Sequence, residues 1–123
     1  MTDASTGAMQ QFRAAGPPGG LGLQAGLVLL YAEPFAALPP VFPLGPQRAL
    51  IGRDEAADVR LPVSAVSRRH AELRFERGRW VIADLGSRNG TLVDGRLVEE
   101  AELEPCSEVR VGDSILKFVE QDA

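Results

Sequence analysis

The chain has 123 residues, 45% of them hydrophobic, and a net charge of −4: enough for one domain with a modest core and too little for two of ordinary size. Its acidic balance argues against a general nucleic-acid binder. One cysteine and one histidine exclude an intramolecular disulfide and argue against a transition-metal site, so no cofactor is expected.

Residues 1–20 show no sustained period and end in a Gly/Pro cluster, which predicts a flexible N-terminal tail. A single domain is expected over 21–120, with 121–123 as a short C-terminal end. The window Ala25–Gly45 carries one charge, Glu33, and is nominally long enough to span a bilayer. However, Pro34, Pro39, Pro40 and Pro43 lie inside it, and proline kinks a helix and removes its donors. A signal peptide is also rejected, because Asp3 precedes the lone Arg13 and GPPGG separates that arginine from the apolar run. The expectation is a cytoplasmic chain with no membrane partner, in keeping with its cysteine usage.

Leu27–Ala32 is a short apolar run that fits a buried strand. Glu33–Pro46 holds five prolines, so it reads as loop with at most a short edge strand around Val41–Leu44. Ala49-Leu50-Ile51 runs into Gly52, and Asp58–Leu61 stops at Pro62. Ala71, Leu73 and Phe75 alternate with Glu72, Arg74 and Glu76. That is the period of a half-buried strand with the first three in the core. Arg77-Gly78 turns the chain, and Trp80 and Ile82 then alternate toward Asp84. Thr91–Val93 meets Arg96–Val98 across Asp94-Gly95, a strong two-residue hairpin signal. Val109 and Val111 precede the turn Gly112-Asp113, and Ser114–Val119 closes the domain. Nothing longer than a turn reads as helix. Short strands at this spacing predict an all-β sandwich or barrel.

The charge is unevenly spread. Residues 52–90 carry eight arginines and six acids, whereas residues 91–123 carry three basic and nine acidic side chains. A local basic region in an acidic chain suits a small anionic target. In a β scaffold the loops at one end make the site. Three loops hold the relevant chemistry: Ile51-Gly52-Arg53-Asp54, Ser67-Arg68-Arg69-His70 and Gly86-Ser87-Arg88-Asn89-Gly90-Thr91. Guanidinium groups, hydroxyls and exposed backbone N–H groups are the donors that hold a phosphate.

The pair Ser67 and His70 also raises the question of a hydrolase, with Asp84 as a third member. On an extended strand these two side chains have opposite parity and lie about 10 Å apart, and no GxSxG elbow is present. A hydrogen-bonded structural histidine is the better reading. Arg68 and Arg69 are adjacent and point opposite ways, so only one faces a ligand readily; Arg68 is the choice.

The ordered set of GR at Gly52-Arg53, SRRH at Ser67–His70 and SRNGT at Ser87–Thr91 resembles the forkhead-associated (FHA) family over about Leu27–Val119. The resemblance implies a two-sheet β-sandwich of short, mostly antiparallel strands with binding loops at one end. It also implies a non-enzymatic phosphothreonine-peptide binding module acting in signalling or transcription regulation. Arg53, Ser67, Arg68, Arg88 and Asn89 would then contact the phosphopeptide, while Gly52, His70, Gly90 and Thr91 would support the loops. Ala65 and Arg88 would lie nearest the third residue after the phosphothreonine. The expected partner is a phosphothreonine-containing protein or peptide, a Ser/Thr kinase substrate, with no nucleic acid involved. The alternative is a phosphate-independent protein-interaction or self-association domain on the same sandwich.

Overall fold

The computed structural model describes residues 23–32, 38–45 and 47–122; the expected tail over 1–20 lies outside them. Eleven strands run in the order β1 Leu23–Tyr31, β2 Val41–Pro43, β3 Arg48–Gly52, β4 Val59–Arg60, β5 Ala71–Glu76, β6 Arg79–Asp84, β7 Thr91–Val93, β8 Arg96–Val98, β9 Glu100–Leu103, β10 Glu108–Val111 and β11 Ser114–Asp122. They form a six-stranded sheet, β2-β1-β11-β10-β7-β8, and a five-stranded sheet, β4-β3-β5-β6-β9. Every pairing is antiparallel except β3 with β4. There is no helix among the described residues.

The inward faces meet in one core. Leu27, Leu116 and Phe118 from the larger sheet and Ile51, Leu73 and Ile82 from the smaller are fully buried, joined by Leu61 and Val66 from the β4–β5 connection. Burying each such side chain contributes about 1.5–3 kcal/mol. Asp94 and Gly95 have φ of 51° and 84°, as the tight turn between β7 and β8 requires. The proline-rich stretch yields the edge strand β2, which among the described residues pairs with β1 alone.

The structure corrects the sequence reading in three places. Phe75 is not in the core: it is 41% exposed and leans on Trp80 with ring centroids 5.4 Å apart. Val81 and Ala83 are buried although they alternate with the inward Trp80 and Ile82. The register sets Val81 between Arg74 and Glu102, two long side chains of the kind that shelter an apolar neighbour on an outer face. Finally, β9 was not anticipated. Its residues Glu100, Ala101, Glu102 and Leu103 do alternate outward and inward, but the acidic run hid the period. Charged outward residues suit its position at the sheet edge.

Candidate functional site

Three connections converge at one end of the sandwich: β3–β4, β4–β5 and β6–β7. The first two are bound as a continuation of the ladder. His70 N donates to Ile51 O, Arg53 N to Ser67 O and Asp54 N to Arg68 O, at 2.9, 3.0 and 3.2 Å. Gly52 makes this approach possible, because a Cβ there would lie 2.0 Å from the carbonyl oxygen of Arg68. Arg53 is anchored by its own side chain, as Nε donates to Val66 O at 2.9 Å. That bond leaves both terminal nitrogens of the guanidinium for a ligand.

Two of the bonds that tie the third connection to the second lie at the cleft. Arg88 N donates to Ser67 Oγ at 3.0 Å, so the Ser67 hydroxyl accepts from the loop and keeps its proton to give elsewhere. Asn89 Nδ2 donates to Ala65 O at 2.8 Å, leaving Oδ1 and a second N–H for another partner.

His70 sits beneath these loops, fully buried. Ser67 N donates to its Nδ1 at 3.0 Å, so Nε2 carries the proton and donates to Gly90 O at 2.8 Å. The loop curls back, and the extended-chain spacing of about 10 Å expected from Ser67 to His70 does not hold. With both ring nitrogens committed to backbone, His70 has none left to act as a general base. Gly90 has φ of 84°, and a Cβ there would meet Leu97 at 2.6 Å.

Asp84 organises the β6–β7 loop from below. Its carboxylate accepts from Gly86 N, Ser87 N, Ser87 Oγ and Thr91 Oγ1, and Ser87 Oγ in turn accepts from Gly90 N. Burial pushes the carboxyl upward, but the bonds from Ser87, Thr91 and Gly86 outweigh it and hold Asp84 below the ordinary carboxylate value. The hub of the loop is therefore a charge, and Asp84 is no third member of a triad.

Between the loops lies a cleft of about 230 Å³ lined by Arg53, Ser64, Ala65, Val66, Ser67, Arg68, Arg88 and Asn89. All five residues expected to contact a ligand line it. Gly52, His70, Gly90 and Thr91 stand behind it in the bonds and close contacts just described. Arg69 is exposed and is not part of the lining. On the five-stranded sheet Arg48, Arg74 and Arg79 form ion pairs with carboxylates, whereas among the described residues the exposed Arg60, Arg69, Arg77, Arg96 and Arg110 stand singly in solvent. Among the described residues, Arg53, Arg68 and Arg88 have no carboxylate within ion-pair distance. Three unmatched guanidinium groups and a hydroxyl around one cleft make a site for an anion.

Sequence reasoning missed Asp84 and Ser87 as supports. Their spacing of three residues around Gly86 is the signature of a side-chain-capped turn and was the available signal. It also missed the carbonyls of Ala65 and Val66, which no side-chain pattern reveals.

Comparison with known proteins agrees with this geometry. The family model described as FHA domain matches residues 49–112. The chain is 37% identical over 98 residues to the glycogen accumulation regulator GarA of Mycolicibacterium smegmatis, which covers 80% of this chain and 62% of GarA. The chain spans less than two thirds of the length of the first curated relatives it matches, down to 7% and 12% of two of them. Among solved structures, the chain is similar to the FHA domain of FhaA complexed with the intracellular domain of Rv3910, with TM-score 0.67, 33% identity, and coverage of 76% of this chain and 98% of that one. It is also similar to Mycobacterium tuberculosis EmbR in complex with a low-affinity phosphopeptide, with TM-score 0.73, 26% identity, and coverage of 98% of this chain and 30% of EmbR.

Proposed function

The chain belongs to the FHA domain family, and on that premise we propose that it is a phosphothreonine-peptide binding module mediating phosphorylation-dependent protein–protein interaction in signalling or regulation. The observation that carries the reading is the cleft in which Arg53, Arg68 and Arg88 gather without carboxylate partners around the Ser67 hydroxyl. A phosphothreonine brings a charge of about −1.5 to −2 and three acceptor oxygens. The terminal nitrogens of Arg53 and the hydroxyl of Ser67 donate to those oxygens, with Arg68 beside them. Each charge-assisted bond contributes about 1.5–3 kcal/mol. Arg88 and Asn89 hold the peptide main chain and so set its register. EmbR, with its bound phosphopeptide, supports the same class of ligand here.

Threonine over serine is a matter of one methyl group, whose burial contributes only about 0.8 kcal/mol. Stronger preference requires that the methyl also pre-order the peptide. The partner is a protein phosphorylated by a Ser/Thr kinase, and the reading is of binding without catalysis, in the cytoplasm. No helix among the described residues is long and apolar enough to cross a membrane.

Calorimetry with a phosphothreonine-oriented peptide library and its unphosphorylated counterpart tests the proposal. The phosphorylated pool binds and the unphosphorylated pool does not. Arg53→Ala reduces binding by about 100-fold, the loss of two charge-assisted bonds at the lower end of their range, with only a small fall in the thermal midpoint from the lost bond to Val66 O. Equal affinity for both pools would make the surface phosphate-independent and refute the assignment.

A further inference from the structure

The two outer faces of the sandwich are dressed differently. On the five-stranded sheet, arginines and glutamates face solvent as ion pairs: Arg48–Glu72 at 3.1 Å, Arg74–Glu100 at 3.2 Å and Arg79–Glu102 at 3.2 Å. On the six-stranded sheet, the register sets one outward row side by side: Leu97 of β8, Leu92 of β7, Arg110 of β10, Ile115 of β11 and Tyr31 of β1. Leu97 is 72% exposed and Tyr31 48%. Arg110, Ile115 and Tyr31 also line one cavity of about 540 Å³. The adjoining row pairs Glu108 with Lys117 and continues to Val28 and Val41. A lone exposed leucine needs no explanation, but four large apolar side chains flanking one arginine across five adjacent strands mark an interaction surface.

We propose that this face binds a second copy of the chain, closing about a two-fold axis that runs parallel to the strands between β10 and β11. An isologous interface must be complementary to itself, and the sheet meets that condition. In the order β2-β1-β11-β10-β7-β8 the midline falls between β11 and β10. Rotation about that line lays β10 over the β11 of the second copy, and β7 over its β1. Glu108 then faces Lys117 of the second copy while Lys117 faces its Glu108, two opposite-charge contacts from one patch. Leu92 closes on Tyr31, and the apolar stem of Arg110 lies over Ile115. The strands span about 25 Å at their usual spacing, a patch at the lower end of stable interfaces. The dimer is therefore weak and concentration-dependent. The cavity on this row shares Ser64 and Ala65 with the anion cleft, so the dimer borders the cleft, but its test reads mass alone and does not rest on the phosphopeptide reading.

Sedimentation equilibrium of the full chain from about 5 to about 500 µM tests it, the range in which a small interface dissociates. The mass rises from monomer to dimer across that range. Lys117→Glu and Glu108→Lys each set like charges across the axis and stay monomeric when alone. Mixed in equal amounts they dimerise, because every contact across the axis is again of opposite sign. Tyr31→Ser, at a half-exposed position, weakens the wild-type dimer by about tenfold, roughly two buried methylenes' worth of contact. A wild-type chain that remains monomeric at the top concentration would overturn the proposal, as another partner would then own the face. Single charge variants that associate like the wild type, or a mixture that stays monomeric, would overturn it equally.

Discussion

Asp84 shows how one residue can govern a site without touching a ligand. Four bonds from the β6–β7 loop end on its carboxylate. Asp84→Asn keeps an acceptor but removes the charge and turns a donor toward other donors. Losing charged-group bonds of this kind costs about 1–3 kcal/mol, and here the loss falls on the loop that carries Arg88 and Asn89. The expected outcome is a lower thermal midpoint with weakened phosphopeptide affinity, read by calorimetry and thermal melts; a variant equal to wild type in both would remove Asp84 from the support of the site. The direction of its pKa sets the acid limit. A carboxyl held below its unfolded value, about 3.9, stabilises the fold fully above that pH. Its contribution fades as pH falls through the lower folded value. Asp84 therefore plays no part in changes between pH 7.5 and pH 5.

At the scale of elements, the site exists because β3 and the β4–β5 connection lie against each other with no space between. Gly52→Ala places a methyl 2.0 Å from the Arg68 carbonyl. That contact must open, and overpacking of this kind costs about 1–3 kcal/mol. The variant is expected to lose phosphopeptide affinity along with stability, because moving Arg68 moves Ser67. Crystallography or amide exchange over 67–70 would detect the opening, and an undisturbed ladder would contradict it. Much of this architecture was legible in the chain. The Asp94-Gly95 hairpin, the alternation from Ala71 to Leu73 and the turn at Gly112 all follow from local rules. The five cleft residues were legible only as an ordered set of loops, since no one of them is distinctive. What escaped the sequence was non-local. Phe75 has the right parity for the core but lies near the strand end, where Trp80 is its aromatic neighbour. The strand β9 reads as an acidic run until it is set against β6. Asn89 and Ala65 meet across 24 residues.

For the whole molecule, the gathering of Arg53, Arg68 and Arg88 around one cleft joins fold and function. An acidic chain keeps one end cationic, and that end accepts an anion whose charge depends on pH. A phosphothreonine takes up its second proton near pH 6, so affinity is expected to fall as pH drops from about 7.5 to about 5. The ³¹P shift of the bound peptide, followed beside the affinity, reports the protonation of the phosphate directly. A flat affinity across that window would count against a dianionic ligand.

The most direct measurement is an amide-resolved NMR titration of the full chain with a phosphothreonine peptide selected from the library and with its unphosphorylated twin. The account predicts shifts confined to Gly52–Asp54, Ser64–Arg69 and Ser87–Gly90, present only with the phosphorylated peptide and absent in Arg53→Ala. Shifts centred on either outer sheet face, or the same shifts with the unphosphorylated peptide, would contradict it.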